Sequence, residues 1–190
     1  MKKEIFHDIC SQVFSFLENN EQLTIYLEGE NSQYFRFNDS KLRQSGIIED
    51  YAVTISLFSG KKSLQSATTV SSDIESSVIN LKNEIQALRD PLSLIPENEF
   101  TSFPDNFESI EMIKSGQLPD RNEILEALMD VITRDYLTGV WTSGKIFRAC
   151  STSEGTNHWF EKDSFIFDFS LIDEKENMVK VLFPGSSWDK

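Results

Sequence analysis

Apolar positions change their period three times along this chain, and each change predicts a different kind of element. Ile5, Phe6, Ile9, Val13, Phe16 and Leu17 recur three or four residues apart, the spacing that lays an apolar stripe along one side of a helix. Asn19 and Asn20 offer a stop, and beyond them the period drops to two. Leu23–Glu28 and Gln33–Asn38 read as strands joined by a turn at Gly29-Glu30-Asn31-Ser32, and Asp39-Ser40 turns the chain again. Lys41–Glu49 reads as the next strand, with Gly46 as a bulge position. Tyr51, Val53, Ile55 and Leu57 alternate with Ala52, Thr54 and Ser56, the cleanest half-buried strand of the sequence, and Ser59-Gly60-Lys61 turns into Ser63–Thr69. Connections this short join antiparallel neighbours, because a parallel crossover needs about ten residues or more. Residues 22–70 are therefore expected to form a meander.

The helical period returns at Ser72-Asp73-Ile74-Glu75, which has the form of a capping box. Ile74, Val78, Leu81, Ile85 and Leu88 trace the stripe expected to lie on the meander's apolar face, and Pro91 predicts the helix end. Pro91, Pro96 and Pro104 mark an extended connector, followed by a short predicted helix over Asp105–Lys114 and a longer one opening at the acidic cap Asp120. Leu125, Leu128, Val131 or Ile132, and Asp135 trace the faces of that second helix. Strands resume with Gly139–Thr152, a turn at Ser153-Glu154-Gly155, and a return over Asn157–Ile172 in which Phe165, Phe167, Phe169 and Leu171 alternate with Ile166, Asp168 and Ser170. An acidic turn over Asp173–Asn177 leads to a last short strand, Met178–Phe183. The expected class is α+β: an antiparallel β-meander covered by helices, then helices and a further long β-hairpin. It reads as one domain over 1–190 with subregions 1–90, 91–119 and 120–190.

Composition narrows the partners. The 190 residues hold 39% hydrophobic side chains and 15 Phe, ample for a core at a length where ~70% of the chain's surface is buried on folding. Thirty-one acidic against 18 basic residues leave a formal charge of −13, a field that repels nucleic acid and anionic membranes and otherwise serves solubility. No apolar run approaches the ~20 residues of a membrane span. Met1-Lys2-Lys3 is followed at once by Glu4 and Asp8, with no signal-peptide core after it. Cys10 and Cys150 are too few for a disulfide framework, so a cytoplasmic location is expected.

Candidate chemistry is sparse. His7 and Cys10 sit three apart on the first predicted helix, but completing a tetrahedral metal site would need His158 and Cys150 from far away; a core thiol explains Cys10 without metal. No His-Glu-x-x-His, G-x-S-x-G or phosphate-cradling glycine loop occurs, and Gly60-Lys61 stands alone. Glu108 with Glu111, and Glu123 with Glu126, share predicted helical faces and read as solvation. Trp141, Trp159 and Trp188 could anchor a partner or fill a core. Arg36 and Arg43 could receive carboxylates or form ordinary cross-strand ion pairs. No catalytic, cofactor-binding or metal residue is assigned within this chain.

Two stretches nevertheless carry a resemblance. Tyr34-Phe35-Arg36-Phe37-Asn38 through Gln44-Ser45-Gly46, then Tyr51–Phe58, Gly60-Lys61-Lys62 and Ala67-Thr68-Thr69, resemble the N-terminal domain of the TldD/PmbA family, also known as modulators of DNA gyrase. Arg148-Ala149-Cys150-Ser151-Thr152-Ser153-Glu154-Gly155 resembles that family's strand ending in an Asn-Ser-x-Gly turn, with Thr152 in place of the Asn and Leu64 where a Gly is expected. The resemblance implies the non-catalytic half of a zinc-dependent metallopeptidase that works as a homodimer or with a metal-free paralogue on unfolded peptides. Zinc and a His-Glu-x-x-x-His segment would belong to a C-terminal domain absent from this sequence, which is then a piece of a longer protein or a stand-alone peptide-binding module. Arg36, Asn38, Ser153, Glu154 and Gly155 are the positions that match the family's patterns and are its implied peptide or partner contacts.

Overall fold

The computed structural model describes residues 1–105, 108–132, 136–173, 175 and 177–188, without the side chains of 130–132. The element order is α1 (Lys3–Phe14), β1 (Glu21–Asn38), β2 (Lys41–Ser59), β3 (Lys62–Thr69), α2 (Ile74–Leu94), β4 (Glu111–Lys114), α3 (Arg121–Ile132), β5 (Tyr136–Thr152), β6 (Asn157–Ile172) and β7 (Met178–Gly185). The strands form an antiparallel seven-stranded sheet in the order β3-β2-β1-β5-β6-β4, with β7 also paired to β6. The class is α+β, as the periodicity implies.

Local chemistry explains most boundaries. Asp39 and Ser40 both adopt positive φ, 53° and 54°, the conformation a two-residue hairpin requires. Gly60 at φ 59° turns β2 into β3, whose register pairs Ser59 with Lys62 and Ala52 with Thr69. Asp120 Oδ1 accepts from the N–H groups of Asn122 and Glu123, while Glu123 Oε2 accepts from Asp120 N–H at 3.1 Å, a reciprocal cap for α3. The helix α2 is capped by Asp73, which accepts from Ser76 N–H at 3.1 Å, rather than by Ser72. A carboxylate at the helix N-terminus also complements its dipole.

Four expectations are corrected. Leu23–Glu28 and Gln33–Asn38 are one strand, β1, and Lys41–Glu49 and Tyr51–Leu57 are one strand, β2. Gly29 makes no turn. It gives room to a ring, since a Cβ there would lie 2.7 Å from the Tyr51 side chain; Gly46 likewise faces the Tyr34 ring within an unbroken β2. Pro91 does not end α2, which runs on to Leu94. A proline there loses its N–H bond and crowds the carbonyl of the preceding turn, and burial of Leu92 (4% exposed) offsets that cost and holds the last turn. The short helix over Asp105–Lys114 is absent: 108–110 are irregular and Glu111–Lys114 is the strand β4. Ile110, Met112 and Ile113 are all exposed, so no buried stripe rewards a helix. Asn106, Phe107 and Asp135 lie outside the described residues, as do the side chains of Val131 and Ile132.

The chain forms two compact units, Met1–Gly29, Asp50–Met112 and Phe147–Phe160 in the first, Glu30–Glu49, Ile113–Ile146 and Glu161–Lys190 in the second. The first unit buries α1 (Phe6, Ile9, Val13) and α2 (Leu81, Ile85) with Leu23, Ile25, Leu27, Val53, Ile55 and Leu57. In the second, Trp141 stacks on Phe165 at 4.8 Å and meets Trp188 edge-on, with Phe35, Phe37, Ile124 and Leu128 around them.

Within the first unit, Arg89 of α2 is the main polar tie. Its Nε and Nη2 donate to the two Glu21 carboxylate oxygens at 2.9 and 2.8 Å, and Nη2 also donates to the Phe16 carbonyl at 3.0 Å. The guanidinium lies over the Phe16 ring at 4.7 Å, and both charged side chains are nearly buried, 11% and 10% exposed. Bidentate pairs of this kind are among the strongest hydrogen bonds in proteins. Removing one partner strands a buried charge. Arg89→Met is expected to lower stability by about 3 kcal/mol in urea unfolding. The Arg89 hydrogen bonds hold the Glu21 carboxyl below the ordinary carboxylate range. Its contribution is therefore full above about pH 4.3, the unperturbed value, and is lost as pH falls through the lower folded value. Unfolding curves of Glu21→Gln between pH 7 and 3 should show a shallower loss of stability with acid than the wild type.

Candidate functional site

The turn between β5 and β6 is built by its own residues. Gly155 has φ 99°, a conformation in which a side chain is strained. Thr152 closes the turn, accepting from Gly155 N–H at its carbonyl and from Thr156 N–H at Oγ1, each at 3.1 Å. Ser153 ties the turn to β1: its N–H donates to the Leu23 carbonyl at 2.9 Å, and Leu23 N–H returns a bond to Ser153 Oγ at 3.1 Å. Glu154 accepts from Gln22 Nε2 at 3.1 Å. Ser153 and Glu154 thus anchor the hairpin to the start of β1, while Gly155 shapes the turn itself.

Beside this turn lies a cavity of about 360 Å³, lined by Thr152, Ser153, Gly155 and Asn157 together with His7, Cys10, Ser11 and Phe14 of α1. His7 packs edge-on against Trp159, and its Nε2 is buried without a partner among the described residues. Burial pushes the imidazole pKa below its usual value, so His7 is neutral at pH 7. Burial also raises the Cys10 thiol to about 12 and lifts Cys150. A thiol so placed is neither a ready nucleophile nor a ready metal ligand. His158 uses Nδ1 to accept from Ile110 N–H at 3.2 Å. Among the described residues no group of three or more His, Cys, Asp or Glu is arranged to hold a metal, and these donors do not fit a zinc site.

Arg36 and Asn38, at the far end of β1, belong to the second unit. Arg36 Nη1 donates to Gln44 Oε1 at 3.2 Å, and Arg43 Nε donates to the Asn38 carbonyl at 3.3 Å. Thr138 Oγ1 donates to Asn38 Oδ1 at 3.2 Å. Both arginines therefore bind neutral groups across the β1–β2 hairpin rather than carboxylates. Trp141 and Trp159 are core residues, 0% and 2% exposed. Glu111 pairs with Lys3 at 2.7 Å instead of sharing a helix face with Glu108.

Sequence reasoning missed the sheet's edges, because pairing partners leave no local signal. β3 is a terminal strand, but Lys62 Nζ reaches the Ser93 carbonyl, Asn98 N–H reaches the Lys61 carbonyl, and Phe103 packs edge-on against Phe58. β7 is different. It pairs with β6 from Phe165↔Gly185 to Ile172↔Met178 and pairs with no other named strand. Met178, Val179, Leu182 and Phe183 are 51–63% exposed. An apolar strand with an open edge is a template for a further strand.

No family model matches the sequence, and no curated protein matches it. Solved structures do. The chain is similar to a protein from Thermotoga maritima described as a putative modulator of a DNA gyrase, at 12% identity and a TM-score of 0.64, over 94% of this chain and 42% of that one. It is similar to TldE from Thermococcus kodakarensis at 12% identity and 0.63, over 95% and 42%. A putative modulator of DNA gyrase from Bacteroides thetaiotaomicron matches at 12% and 0.58, over 97% and 45%. The shared property is the fold, and the chain spans less than half the length of these solved structures.

Gly155→Val is expected to lower stability by about 1–3 kcal/mol, because a β-branched residue resists positive φ. Thermal unfolding checks it; an unchanged melting temperature would remove the strain argument.

Proposed function

We propose that this chain is the N-terminal, non-catalytic domain of a TldD/PmbA-like peptidase, shaping a chamber for unfolded peptides and contributing dimer contacts. The observation that supports it most is β7, an eight-residue strand that among the described residues pairs with β6 alone, Gln117 meeting only Ser186 and Trp188 beyond its end, and that has four exposed large apolar side chains. An extended peptide can add to such an edge through main-chain hydrogen bonds, which do not demand one sequence, while alternate side chains supply preference. The likeness of fold to TldE and to two gyrase-modulator structures agrees with this reading. In it, zinc and hydrolysis belong to a segment outside the present sequence. With a formal charge of −13, a direct role on DNA is disfavoured.

The second reading is a stand-alone peptide-binding module, or a metal-free partner subunit, with the same edge and no hydrolysis. Both are tested by measuring zinc content and peptidase activity for this chain and for the product of its full reading frame. Metal and cleavage confined to a longer product support the first reading; neither in either form favours the second. Leu182→Lys should weaken binding of an extended, apolar, end-blocked peptide severalfold while changing stability by no more than about 0.5 kcal/mol, as for an exposed position. Unaltered peptide affinity would dismiss β7 as the docking edge.

A further inference from the structure

The second unit carries a hollow of about 520 Å³ that the reading above does not use, a volume within the roughly 300–1,000 Å³ of small-ligand sites. Two strands apart in the sheet, Glu30 of β1 and Lys162 of β6 both line it, with β5 between them. Among the described residues neither makes an ion pair. That sets Lys162 apart from nearby Lys145, which is held by Glu161 and by Asp163 at 3.7 Å. Unpaired opposite charges facing one hollow describe a receptor for a ligand with both charges.

The floor between them is polar and incompletely bonded. Ser32 lines the hollow and is only 8% exposed, yet its Oγ has no hydrogen-bond partner among the described residues. A buried hydroxyl left unsatisfied costs free energy, and a ligand atom would relieve it. Gly144 sits alongside, so close to β1 that a Cβ there would lie 2.3 Å from the Asn31 carbonyl oxygen. The main chain is thereby drawn down and the hollow kept open at that point. Ile146, Ile166 and Pro184 add apolar wall.

Length follows from the sheet. Two strand spacings of ~4.8 Å put the β1 and β6 lines roughly 10 Å apart, and an extended chain covers about 3.3–3.6 Å per residue, so about three residues bridge the gap. We propose that this hollow binds free peptides of about three residues with an apolar middle side chain, the α-ammonium at Glu30, the carboxylate at Lys162 and a main-chain group on Ser32. This rests on the peptide-handling reading for its ligand class, and it adds a site that recognises both chain ends, the form in which short cleavage products occur.

Calorimetric titration with Ala-Leu-Ala, its N-acetyl and C-amide forms, and a long end-blocked peptide tests both ideas. The free tripeptide should bind. Acetylation or Glu30→Gln, and amidation or Lys162→Gln, should each weaken it about tenfold, the scale of one charge-assisted hydrogen bond. Ser32→Ala should leave the melting temperature unchanged or raised while weakening the tripeptide severalfold, a combination that a purely structural serine would not give. Tripeptide binding indifferent to capping overturns the assignment of the charges. Binding of the long blocked peptide without the tripeptide overturns the hollow and leaves peptide handling intact. Binding of neither overturns both.

Discussion

The pairing of Arg89 with Glu21 is the constraint from which most of the first unit's geometry follows. It joins α2 to a stretch about 70 residues earlier, the residues after α1 and the first residue of β1. Two residues beyond Glu21, Leu23 exchanges two hydrogen bonds with Ser153, so fixing the start of β1 also fixes the β5–β6 turn. That turn in turn shapes the cavity beside His7 and Cys10. An ion pair this buried is costly to form and more costly to break. It is retained here with both carboxylate oxygens engaged by the same guanidinium and an aromatic ring beneath it.

The sheet treats its edges unequally. β3 starts with a lysine, Lys62, and the connector that follows α2 touches its start and the end of β2, which are familiar ways to discourage further pairing. β7 has only Lys180 among its large apolar residues, and that lysine is drawn to Asp168 at 3.2 Å. The hollow lined by Glu30, Ser32 and Lys162 lies in the same unit as β7.

The reactive side chains singled out in the sequence are held in unreactive settings. The residues best suited to reaction, Cys10 and His7, are held where burial favours their neutral forms, and the tryptophans serve packing. The motif positions Ser153 and Glu154 tie the hairpin to β1, and Gly155 shapes its turn.

Periodicity and turn chemistry are local, and what depended on them was legible in the sequence: the α1 and α2 stripes, the Asp39-Ser40 and Ser59-Gly60-Lys61 turns, the capped start of α3, the long final hairpin and the α+β class. Contacts distant in sequence decided the rest. Gly29 reads as a turn residue until Tyr51 is found lying on it. Pro91 reads as a stop until burial of Leu92 offsets the proline's cost. The segment before Lys114 reads as helical until β6 offers it a strand partner. Arg89, Ser32 and the open edge of β7 carry no signal of their own in the sequence, because a buried charge, an orphan hydroxyl and an unpaired strand are defined by which neighbours the fold brings, or fails to bring, beside them.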